Sequence, residues 1–164
     1  MTSSSQPEPP AFRPHDHRAC RSQALAAARA TCAARRLRLT PARSFVLETL
    51  LESHVALTAY ELLDRMRAAG LGRQPPVVYR ALDFLVANGF AHRIERLGGY
   101  VACTCGGAEH GAAFTLCRRC RTVAETVLAG PGRSLAARAS RGGFAVERVV
   151  VEVEGLCPRC QEAG

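Results

Sequence analysis

Apolar positions recur with a helical period from residue 18 to about residue 88 and mainly with a strand period after that. Residues 18–36 form an Ala-rich run without Gly or Pro, and Leu25, Ala28 and Cys32 share one face, which predicts a helix. Thr40-Pro41 opens a second helix, with Thr40 as N-cap, Pro41 at the first helical position, and Val46, Leu47, Leu50 and Leu51 as its buried stripe. Thr58 and Glu61 stand at capping-box spacing before Leu62, Leu63 and Met66, and Gly70 stops that helix. Residues 72–76 read as a turn. Residues 77–88 then place Val78, Ala81, Leu82 and Leu85 on one face. At about 100° per residue, Arg80 points away from that face and Tyr79 lies on its flank.

Residues 90–94 and 99–103 flank Arg96-Leu-Gly-Gly and predict a β-hairpin. A Gly-rich loop at 104–112, short strands at 113–116 and 122–128 and a short helix at 134–140 follow. Residues 144–154 read as a half-buried strand, with Val149, Val151 and Val153 on one side and Glu152 and Glu154 on the other. Three helices, a turn, a short helix and a hairpin match a winged helix-turn-helix, in which the start of the second helix of the motif reaches base edges. The expected class is α+β. Residues 1–17 are a disordered Ser/Pro-rich tail, 18–101 a winged-helix DNA-binding domain with hinge, and 102–164 a small C-terminal α/β dimerisation domain. That last domain is too thin to be stable alone and needs a partner subunit or cross-links.

Charge sharpens this division. Every basic residue is Arg, with 14 against 8 acids in residues 1–99 and 8 against 6 in residues 100–164, so the first half suits phosphate. Tyr79 and Arg80 on the fourth helix, and Arg93 and Arg96 on the hairpin, are the candidate contacts. No apolar run approaches the ~20 residues that span a bilayer, and the first residues lack a signal-peptide pattern. A cytoplasmic protein without a membrane partner is expected, where eight cysteines serve as metal ligands or sensors rather than disulfides.

Two Cys-x-x-Cys pairs, Cys117/Cys120 and Cys157/Cys160, together make a tetrahedral four-thiolate set, closed and therefore structural. The rival reading makes Cys157-Pro-Arg-Cys160 a redox dithiol, which should open a helix after a buried strand; the chain ends four residues later. His92, Cys103, His110 and Glu125 form a second, mixed set. His92 and Cys103 lie on the hairpin and His110 and Glu125 in the second domain, so one shared ion would staple the two. Cys105 competes with Cys103. Cys20 and Cys32 read as helix residues without a metal role, and His15 and His17 as part of the solvated tail. No phosphate loop, nucleophile elbow or deaminase motif is present, so an enzyme is not expected. A structural zinc protein whose basic half binds RNA or a protein is the rival of a different class.

The stretches Arg38-Leu-Thr-Pro-Ala-Arg43, Ala59-Tyr-Glu-Leu-Leu63, Pro75-Pro-Val-Val-Tyr-Arg-Ala-Leu-Asp-Phe-Leu85, Gly89-Phe-Ala-His92, Tyr100-Val-Ala-Cys103, Cys117-Arg-Arg-Cys120 and Gly155-Leu-Cys-Pro-Arg-Cys160 resemble the ferric-uptake-regulator family, and within it the zinc-uptake-regulator branch. The resemblance implies a homodimeric repressor of zinc-uptake genes that binds double-stranded operator DNA, with two dimers on some operators and about two Zn²⁺ per subunit. An iron- or peroxide-sensing sibling is the alternative. By matched position, Cys117, Cys120, Cys157 and Cys160 correspond to structural ligands, and His92, Cys103, His110 and Glu125 to regulatory ones. Tyr60 and Arg80 match base-contacting positions, and Arg43, in the first matched stretch, is grouped with the DNA-facing residues. Asp64 and Arg67 match a pair that bridges neighbouring dimers. Val77 stands where relatives often carry Thr.

Overall fold

Each of the first three helices starts at a side-chain cap. In the computed structural model, which describes residues 10–13, 16–104, 112–127, 131–147 and 149–163, Asp16 accepts from the Arg18 and Ala19 N–H groups at the start of α1 (His17–Ala34). Thr40 accepts from the Arg43 N–H before α2 (Pro41–Leu50). Thr58 and Glu61 complete the capping box before α3 (Ala59–Ala68). α4 (Pro75–Ala87) begins two residues earlier than expected. Pro75 and Pro76 hold its first positions, where a missing N–H loses no helical hydrogen bond. Its buried face is the expected Val78, Ala81, Leu82 and Leu85, packed with Val46, Leu47 and Leu50 of α2 and Leu62, Leu63 and Met66 of α3.

β1 (Ala91–Ile94) and β2 (Gly99–Ala102) form the hairpin, with His92 opposite Val101. Gly99 suits the place where β2 crosses the segment before α3, because a Cβ there would stand 3.2 Å from the Leu57 carbonyl oxygen and the backbone would have to give by a few tenths of an ångström. β3 (Ala112–Cys117) pairs antiparallel with β4 (Val123–Val127) and parallel with β5 (Val151–Gly155), giving the order β4-β3-β5. α5 (Pro131–Arg141) lies between β4 and β5 in the chain, and α6 (Pro158–Glu162) follows β5.

The structure departs from expectation in three places. The tail was expected to run through residue 17, yet Pro10–Phe12 is a 3₁₀ turn whose Phe12 packs on the cysteine cluster, and His17 opens α1. The strand expected over 144–154 is confined to Val151–Gly155, because its ladder with β3 runs only from Ala113 to Cys117. Cys157 does N-cap a helix, α6, after a strand. The helix that a redox dithiol asks for is therefore present, but the buried strand before it is not, because no residue of β5 is buried; the choice between dithiol and metal rests on which residues surround the pair.

The hairpin belongs to both halves. Ala56, Ile94 and Val101 share a second core with Phe114, Leu116 and Val123 of the sheet. The Glu152 carboxylate accepts from the backbone N–H groups of Glu95 (2.8 Å) and Arg96 (3.0 Å), and Glu154 pairs with the Arg96 guanidinium at 2.9 Å. Arg96, expected to be available to a phosphate backbone, is thus gripped by the sheet domain. Arg121, at φ +60° just after Cys120, reaches back to Glu61 of α3 with two hydrogen bonds, 3.0 and 3.2 Å. Arg121 and the Thr58 cap hold the Glu61 carboxyl at about 2, against a smaller opposing push from burial. The stabilisation from this pair is therefore present above the ordinary carboxylate value of 4.5 and is lost as pH falls towards 2. An Arg121→Ala variant should lower stability by ~0.5–1 kcal/mol, the worth of a half-exposed ion pair, with the fold intact by circular dichroism. Unchanged stability in a urea titration would show that this clamp does not help hold the two parts together.

Candidate metal centres and the DNA-facing surface

Because β3 and β5 run parallel, with Cys117 opposite Gly155, both knuckles arrive at the same end of the sheet. The Sγ atoms of Cys117, Cys120, Cys157 and Cys160 lie within 4.8 Å of one another. Cys120 and Cys157 are 3.8 Å apart. Two thiolates on one tetrahedral zinc, each at ~2.3 Å, stand ~3.8 Å apart, whereas a disulfide needs ~2.05 Å. The four residues thus fit a closed zinc site. Burial opposes ionisation of Cys117, but backbone N–H groups of Cys120, Cys157 and Arg119 and the Cys120 side chain outweigh it, bringing the thiol down to about 6. Burial and the three neighbouring thiols push Cys160 up to about 12.

The second set converges where hairpin and sheet meet. His92 on β1, Cys103 just after β2 and Glu125 on β4 offer ligand atoms within 4.8 Å of one another. Glu125 is almost wholly buried, its side chain 3% exposed. Its Oε2 is held by the Thr104 N–H (2.9 Å) and hydroxyl (3.3 Å), which leaves Oε1 facing Cys103 Sγ at 3.7 Å and His92 Nε2 at 2.8 Å. The His92 contact is too poorly aligned for a hydrogen bond, and this buried nitrogen has no other hydrogen-bond partner among the described residues. A buried nitrogen, sulfur and oxygen within 4.8 Å of one another suit a zinc ion: the S···O distance of 3.7 Å is close to a tetrahedral edge of ~3.5 Å, and the N···O distance of 2.8 Å would have to open to ~3.3 Å. Burial disfavours protonation of His92, but Cys103 and Glu125 overcome it and raise the imidazole from 6.5 to about 9. His110 and Cys105 lie outside the described residues.

Tyr60 (70% exposed), at the start of α3, and Tyr79 (42%), in the N-terminal half of α4, are exposed, as is Arg80 beside Tyr79. Arg43 is engaged from within: its guanidinium lies 3.7 Å from the centroid of the Phe84 ring and donates to the Arg38 carbonyl. Arg93 is exposed and pairs with Glu95 at 3.1 Å. Asp64 and Arg67 pair with each other along α3 at 3.0 Å, both exposed.

One grouping escaped the sequence. His17, Cys20 and His54 also place ligand atoms within 4.8 Å of one another. The three-residue step from His17 to Cys20 was readable as one helix face, but nothing local announced His54.

A winged helix whose hairpin shares candidate metal ligands with a sheet domain gathered around four cysteines defines a class of DNA-binding architecture with metal sites at its joint. No protein-family model matches the sequence. The zinc uptake regulation protein of Escherichia coli (strain K12) is 41% identical over 139 residues, 84% of this chain and 81% of that protein. A zinc uptake regulator solved with zinc and DNA superposes with a TM-score of 0.82 at 40% identity, covering 87% of this chain and 96% of the other. Holo XcZur gives 0.77 at 40% identity over 87% and 99% of the two chains. Apo XcZur gives only 0.51 at 39% identity over the same shares. The chain belongs to the zinc uptake regulation protein family.

Proposed function

We propose that this chain is a zinc-responsive repressor that binds the operators of zinc-uptake genes when its hinge site is loaded. The observation that carries the reading is the meeting of His92 and Cys103 from the hairpin with Glu125 from the sheet. His110 is the fourth ligand in this reading, and with the four cysteines the chain holds about two Zn²⁺. Zinc supplies a fixed tetrahedral geometry at that joint. A thiolate in the set favours zinc over the harder ions that carboxylate and water ligands suit. His92 holds β1, and with it the α4 recognition helix, at a set distance from β4. Tyr60, Tyr79 and Arg80 then face one groove, and Arg93 follows the backbone. The much higher TM-score against holo than apo XcZur, at matching identity, supports a described conformation of the loaded kind.

A homodimer completes the reading. Leu135, Phe144 and Val153 are large apolar side chains left exposed on the sheet domain, and β5 is an edge strand. A second copy covering them would give this domain the core it lacks. Asp64 and Arg67, exposed and already matched in charge, suit an exchange of partners between two dimers on one operator.

The test is operator affinity measured at graded zinc, which should rise steeply with metal. Affinity that ignores zinc would overturn the reading. By linkage, operator DNA must tighten zinc by the same factor. Arg80→Ala should lower operator affinity by ~1–3 kcal/mol and relax base preference, whereas Arg93→Ala should weaken all sequences alike. Competition with operator and scrambled duplexes separates the two outcomes.

A further inference from the structure

His17 and Cys20 stand three residues apart on the first turn of α1, a helical step that places both on one face. The His17 Nε2 lies 2.9 Å from the carbonyl oxygen of Leu51, the residue that caps α2. With that nitrogen as the donor, Nδ1 carries the lone pair, an arrangement common among metal-ligating histidines. Three residues beyond Leu51, His54 meets the His17 ring edge-on, 4.9 Å between centroids. The His54 carbonyl accepts from the Val123 N–H at 2.8 Å, which ties its loop to the start of β4. Ligand atoms from all three side chains fall within 4.8 Å of one another.

The same three residues line a cavity of about 20 Å³, enough for one water-sized occupant. Thr104 and Glu125 also line it, so it abuts the hinge cluster. On the outer side, His17 and His54 also line a wider cleft with Arg13, Glu52 and Ser53, which provides an entry path. Two imidazoles and a thiol are a set that suits zinc, with one position left for water. We infer that His17, Cys20 and His54 form a third zinc site, distinct from the four-cysteine and hinge sites, that fastens α1 to the loop between α2 and α3. An ion there joins three separate anchors: the N-terminus of α1, the C-terminus of α2 through Leu51, and β4 through the His54 carbonyl.

Native mass spectrometry of the zinc-saturated full chain tests the assignment. Three zinc ions per subunit are expected, two in Cys20→Ser and in His54→Gln, two in His92→Ala, and one in Cys20→Ser combined with His92→Ala. A second measurement needs no variant: zinc should slow alkylation of the half-buried Cys20 at least tenfold in the intact protein. Equal zinc counts for wild type and Cys20→Ser, or Cys20 alkylation indifferent to zinc, would overturn the site. The count is independent of operator binding, so a failure of the repressor reading would leave this result standing.

Discussion

His92→Ala should remain a folded dimer that no longer responds to zinc. His92 is the one member of the proposed hinge set on β1, and its removal would leave Cys103 and Glu125 without the nitrogen proposed to tie α4 to the sheet domain. Allosteric couplings between sites typically amount to ~1–3 kcal/mol, so operator affinity at saturating zinc should fall by about 5–150-fold, to the zinc-free level. Full conversion from 1:99 to 99:1 would require about 5.5 kcal/mol and sets the upper limit. Fluorescence anisotropy with labelled operator reads the loss, and circular dichroism with gel filtration checks the fold. If His92→Ala unfolds the protein, the separation between a sensing site and a structural one is wrong.

Cys157→Ser should do the opposite and remove the sheet domain itself. Four-thiolate zinc sites in small peptides contribute ~10–16 kcal/mol apparent, comparable to or larger than the ~5–15 kcal/mol that holds a whole domain together. Loss of one thiolate also leaves buried Cys117 and Cys160 without their shared partner. The larger helical core of Leu47, Leu62, Met66, Leu82 and Leu85 contains none of these four cysteines, so helical signal should survive while dimer and sheet are lost. Hydrogen exchange should show β3, β4 and β5 unprotected and α2 to α4 still protected. A Cys157→Ser protein that stays dimeric with a protected sheet would show that the metal is not its main support.

The helices were legible because their determinants are local. Thr40, Thr58 and Glu61 cap within three residues of their partners, and the stripe Val78, Ala81, Leu82, Leu85 is set by one helical period. The four-cysteine site was legible for a related reason, since each Cys-x-x-Cys is itself a local chelate. What spacing could not show is long-range pairing. The length of β5 depends on where β3 stops, not on the alternation of Val149, Val151 and Val153. Glu61 and Arg121 are 60 residues apart, and Arg96 and Glu154 are 58. His54 meets His17 only because α2 returns the chain beside the start of α1. Phe12 looked like part of a solvated tail because its apolar partner, the cysteine cluster, is assembled from distant segments.

The grip of Glu152 and Glu154 on the hairpin turn bears on how ionic strength is interpreted in this protein. Salt weakens DNA binding by returning counterions to the phosphates. It also screens the exposed Arg96–Glu154 pair, which helps keep the wing at its working tilt. A plot of log affinity against log salt should therefore be steeper than the number of arginines on the duplex warrants. The Glu154→Gln variant, which keeps a hydrogen-bonding side chain but no charge, would return the surplus slope as a direct reading of how much the wing's posture depends on that one ion pair.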